Sequence, residues 1–126
     1  MKDVTANPPL GLLRLEGAIL DSLTRSHPHF RAQFDRLRDG SLVRLRELSG
    51  AGFFTHYSDE CAVTFPGQNE MIANADCISG PGLLGGFHLA ITDEQPDVLE
   101  GFCLDGLWPR EWDSLAVVPL DSARRP

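Results

Sequence analysis

The sequence predicts an α+β domain: two N-terminal helices packed on a twisted antiparallel sheet of about six or seven strands. Three observations carry this. Up to about residue 38, apolar side chains recur every three or four positions. After Gly40 the apolar period drops to two, in short runs bounded by turn residues. The connectors between these runs are mostly too short for a crossover helix, so neighbouring strands pair antiparallel, as a meander. Each half also solves the burial problem of the other. Amphipathic helices need a surface to cover, and a one-sided sheet needs a cover.

The elements follow in order. Residues 1–7 are polar and read as frayed, as do residues 122–126. Asn7-Pro8-Pro9 reads as a helix start, with Asn7 as N-cap and proline in the first turn. The segment Leu10–Arg25 carries Leu12, Leu15, Ile19 and Leu23 on one stripe, widened by Leu13 and Leu20. Asp21 and Arg25 are spaced to pair on the outer side. Gly11 and Gly17 weaken this helix by about 1 kcal/mol each relative to alanine. Ser26-His27-Pro28 breaks it. A second helix runs from Pro28 to Arg38 on a stripe of Phe30, Phe34 and Leu37, and Gly40 supplies the left-handed position that ends it.

Seven strand-like runs follow: Leu42–Leu48, Phe53–Tyr57, Cys61–Phe65, Met71–Ile78, Gly85–Thr92, Val98–Leu104 and Leu115–Leu120. In Cys61–Phe65 the alternation turns Cys61, Val63 and Phe65 one way, Ala62 and Thr64 the other. In Gly85–Thr92 it turns Phe87, Leu89 and Ile91 inward and His88, Ala90 and Thr92 outward. The 126 residues fit one globular domain spanning 1–126.

Charge is distributed unevenly. Residues 1–46 hold eight bases and five acids, whereas residues 47–126 hold three bases and thirteen acids. The whole chain carries a formal charge of −7. Nucleic-acid binding needs Lys and Arg to displace counterions from phosphates, so this balance argues against nucleic acid as a partner, and against anionic membrane surfaces. No apolar run is long enough to span a bilayer, and the opening residues do not read as a secretory leader. The three cysteines, at 61, 77 and 103, stand at least sixteen positions apart. They form no CxxC pair and read as small buried hydrophobes in a cytoplasmic, reducing compartment.

No catalytic motif emerges. His27-Pro28-His29 cannot place both rings on one helical face, and no third ligand is local, so it reads as a helix boundary rather than a metal site. The cluster His56, Asp59, Glu60 and Cys61 reads as a turn. The glycine-rich stretch 80–86 lacks the lysine of a phosphate-binding loop and reads as a turn with close backbone packing. No metal or cofactor is implied.

Three sets remain as candidate binding residues. Arg44 and Arg46, two apart, share a face of one strand, suited to a carboxylate or phosphate or to neighbouring acids. Glu100 and Asp105, with His88, form a candidate acid–base set on one sheet face, since a hairpin of their strands brings His88 close to Glu100 or Gly101. Trp108 and Trp112, in the stretch Asp105-Gly106-Leu107-Trp108-Pro109-Arg110-Glu111-Trp112, form either a plug for the sheet core or an aromatic recognition patch.

Two blocks stand out: Arg46-Glu47-Leu48-Ser49-Gly50-Ala51-Gly52-Phe53-Phe54-Thr55, and Leu99-Glu100-Gly101-Phe102 followed by Asp105-Gly106-Leu107-Trp108-Pro109. They resemble a group of small uncharacterised bacterial proteins that share a GxGFFT block and an LEGF…DGxWP block. The resemblance covers residues 42–112 in outline and implies a soluble α+β domain. It implies no activity and no catalytic residue. The expectation is a non-enzymatic module that binds another protein or itself. The alternative is a small enzyme or small-molecule binder with a pocket between helices and sheet, using Arg44, Arg46, His88 or Glu100.

Overall fold

The computed structural model describes residues 3–58, 62–69, 71–79, 82–103 and 115–119. It is α+β, with two helices on an antiparallel sheet. Helix α1 spans Leu10–Ser26 and α2 spans Arg31–Leu37, joined by a 3-10 turn at Pro28–Phe30. The strands are β1 (Asp3–Thr5), β2 (Val43–Ser49), β3 (Gly52–Tyr57), β4 (Met71–Ser79), β5 (Gly82–Thr92), β6 (Gln95–Cys103) and β7 (Leu115–Pro119). Their order across the sheet is β1-β2-β3-β6-β5-β4-β7. Every pairing is antiparallel. The sheet is not a simple meander, because β3 lies beside β6 and β4 lies between β5 and β7.

The start of α1 differs from expectation. Asn7 is not the cap; its N–H donates to Thr5 Oγ1. The helix begins after Pro9, whose carbonyl accepts from the N–H of Leu12 at 3.0 Å and of Leu13 at 3.3 Å. Nor do Asp3–Thr5 fray. They pair with Arg46–Leu48 on the edge of β2, where main-chain hydrogen bonding replaces apolar pattern as the organising force.

The core forms between the layers. Leu12, Leu15, Ile19, Leu20 and Leu23 of α1 meet Phe53, Phe87, Leu89 and Leu99 of the sheet. Burying one such side chain contributes about 1.5–3 kcal/mol. Leu13 does not join them and stays 40% exposed. Phe30 and Phe34 pack against Phe65, with ring centroids 5.2 and 5.5 Å apart.

Residues 62–65 are not a strand. Their alternation is nonetheless real: Val63 and Phe65 are buried, Ala62 and Thr64 exposed. Period two reports an extended chain with one greasy side, and here that side meets helices. The segment is pinned by the Phe65 N–H donating to the Glu94 carbonyl at 2.7 Å.

Asp93 and Glu94, both at positive φ (51° and 65°), make a two-residue turn between β5 and β6. That conformation favours Asn-Gly. Here long-range bonds hold it, since Glu94 Oε2 accepts from the Gly67 N–H and the Asp93 N–H donates to Asn69 Oδ1. The stretch 82–86 belongs to β5 rather than to a turn. Close backbone approach is still its feature: a Cβ at Gly85 would lie 1.7 Å from the Phe102 carbonyl oxygen.

Candidate functional site: carboxylates on the two faces of the sheet

The sheet separates two sets of charged side chains. On the helix side, Glu16 of α1 is buried within the apolar stripe, at 8% exposure. Its carboxylate takes both prongs of Arg46, Nε to Oε2 at 2.9 Å and Nη2 to Oε1 at 2.8 Å. The Thr55 hydroxyl, fully buried, donates to Glu16 Oε2. Arg46 and Thr55 stand opposite each other in the β2–β3 register, so two neighbouring strands point at one helical carboxylate. A bidentate fork is the strong form of this pair. Hydrogen bonding to Glu16 raises the Arg46 pKa above its ordinary value, against the lowering effect of burial.

Arg44 does not share this site. The register steps from Val43↔Tyr57 to Leu45↔His56, leaving Arg44 as the extra residue of a β-bulge. The bulge resets the alternation. Val43, Arg46 and Leu48 oppose the inward residues Tyr57, Thr55 and Phe53, while Arg44 is exposed.

On the opposite face, Glu47, Phe54, Glu100 and His88 form one cross-strand row over β2, β3, β6 and β5. His88 Nε2 lies 2.8 Å from Glu100 Oε1, in direct register. The two-residue turn of the β5–β6 hairpin brings them together, as the sequence spacing suggested. A second pair was not foreseen: His56 Nε2 lies 2.6 Å from Glu47 Oε1. The four side chains are 22–26% exposed. The His88 ring centroid stands 5.8 Å from that of Phe102, and His56 stacks on Phe54 at 6.3 Å. Among the described residues no helix covers this face.

The candidate residues are therefore dispersed. Arg46 points to the helices and His88 and Glu100 point away, with the sheet between them. Asp105, Trp108 and Trp112 lie outside the described residues. The Glu16–Arg46–Thr55 cluster was missed by sequence reading, although a signal exists. Glu16 stands four residues from Leu12 and Leu20, an acid inside an otherwise greasy stripe.

Among the described residues no group of three or more His, Cys, Asp or Glu is placed to hold a metal ion. No described helix is long and apolar enough to cross a membrane. Asp21, spaced in the sequence to pair with Arg25, pairs with Arg38. No family model, no curated protein and no solved structure matches the chain.

Proposed function

We propose that this chain is a non-enzymatic interaction module that receives a basic segment of another protein on the sheet face opposite α1. One observation carries the reading: Glu47 and Glu100 stand in one row on that face, each tethered to a histidine and partly open to solvent. A tethered carboxylate is pre-organised, so less side-chain entropy is lost when a cation docks. The acidic balance from residue 47 onward supports a cationic protein segment over nucleic acid. It also disfavours a second copy seated face to face, which would set carboxylate against carboxylate. The widely spaced cysteines support a reducing, cytoplasmic setting.

A histidine held by a carboxylate is also half of an acid–base catalyst. The register neighbours of His88 argue for binding instead. Among the described residues these are Glu100 across the sheet and Gly86 and Ala90 along the face, none of them a nucleophile.

The test is titration calorimetry of the full chain with an arginine–serine peptide and with a serine–glycine peptide of equal length. Salt-sensitive binding of the arginine peptide alone, abolished in the double variant Glu47→Gln/Glu100→Gln, is expected. Arginine-peptide binding that the double variant leaves unchanged, or no binding, overturns the reading. A concentration-dependent dimer in sedimentation, indifferent to the double variant, would replace it with self-association. Trp108→Ala tells whether the tryptophan stretch shares the surface: weaker peptide binding with unchanged stability says that it does.

A further inference from the structure

Between α1, the end of α2 and β2 lies a cleft of about 380 Å³. Such a volume falls in the range of small-molecule sites. Leu13, Gly17 and Leu20 line it from α1, at i, i+4 and i+7 on one stripe. Leu37, Arg38 and Arg46 complete the wall.

Two independent features set this cleft apart from an accidental gap. The first is Gly17. Glycine in a helix interior costs about 1 kcal/mol relative to alanine. No packing constraint requires it here, because a Cβ built at Gly17 meets nothing within 4 Å. What its missing side chain does is leave the middle of the cleft open. The second is Arg46. Its Nε and Nη2 are held by Glu16, a fork that does not use Nη1. Arg46 lines the cleft, and its side chain keeps 13% of its surface exposed. Arg38, on the rim, differs: its three nitrogens go to Asp21, Asp35 and the Gly17 carbonyl.

We propose that this cleft binds a small neutral amphiphile, with an aliphatic body over Gly17 against the exposed Leu13 and one carbonyl oxygen accepting from the Arg46 guanidinium. Neutrality follows from the charges already in place. Glu16 compensates Arg46, so a ligand carboxylate would bring surplus negative charge beside Glu16 and Asp39, and an ammonium would face Arg38 and Arg46. This site is separate from the sheet face opposite α1 and does not depend on it.

The experiment is an amide NMR titration of the full chain with pentanamide, pentanoate and pentylamine. Pentanamide should shift the amides of Leu13, Gly17, Leu20 and Gly40 and bind more tightly than either charged analogue. Gly17→Leu sends a side chain into the cleft from a position whose Cβ is unhindered and favours the helix, so the variant should fold and bind pentanamide about tenfold more weakly or worse. Gly17→Ala, one methyl larger, should keep most of the affinity. Tighter binding of pentanoate or pentylamine, no localised shifts, or undiminished binding in Gly17→Leu would overturn the proposal.

Discussion

The two faces of one sheet use the same chemistry, a carboxylate held by a nitrogen base, to different ends. Under the helices, Glu16 meets Arg46 with side chains only 11% and 13% exposed. On the other face, Glu47–His56 and Glu100–His88 keep about a quarter of their surface open to water. Burial decides what each pair is worth. A desolvated ion pair holds the structure because losing one partner strands the other charge. A wet pair contributes little to stability and leaves its carboxylate available to a partner.

Breaking the inner pair is expected to have the largest effect. Glu16→Ala strands Arg46 and the Thr55 hydroxyl, and should cost about 3–5 kcal/mol in urea unfolding. The triple variant Glu16→Met/Arg46→Met/Thr55→Val should regain most of that loss, since a buried polar cluster replaced by apolar groups is often near neutral. A cost below about 1 kcal/mol for Glu16→Ala would place this pair with the wet ones.

Glu100→Gln sharpens the contrast from the other side. The expected change is under about 1 kcal/mol in the same measurement. A loss as large as that of Glu16→Ala would make the outer face structural rather than a docking surface.

The smallest effect lies between the helices. Burial, reinforced by nearby His29, lowers the pKa of His27 from the ordinary 6.5. The unfolded chain then binds more protons than the folded one around and below that value. Stability should therefore fall as pH drops through 6.5, and His27→Gln should flatten the slope in thermal melts across pH. An unchanged slope would remove His27 as its source.

Much of this was legible in the residues. The stripe Leu12, Leu15, Ile19 and Leu23 and the inward set Phe87, Leu89 and Ile91 are all buried, because burial periodicity is written locally. The His88–Glu100 contact was also legible, since a short hairpin connection fixes register. Where an extra residue enters a strand, local rules fail. Arg44 and Arg46 read as neighbours on one face, and a bulge separated them. The alternation at 62–65 was read correctly for its faces and wrongly for its pairing. Period two describes sides, whereas strand partners depend on which backbone edge arrives.

Sequence alone determined the α+β class, the greasy side of each helix and the acidic bias of the second half, because these depend on side chains close together in the chain. Only the tertiary structure decided that β6 would lie beside β3, that Glu94 would tolerate a left-handed turn, and that Glu16 would find Arg46 thirty residues away. Those outcomes rest on contacts between distant segments, whose closure no local pattern encodes.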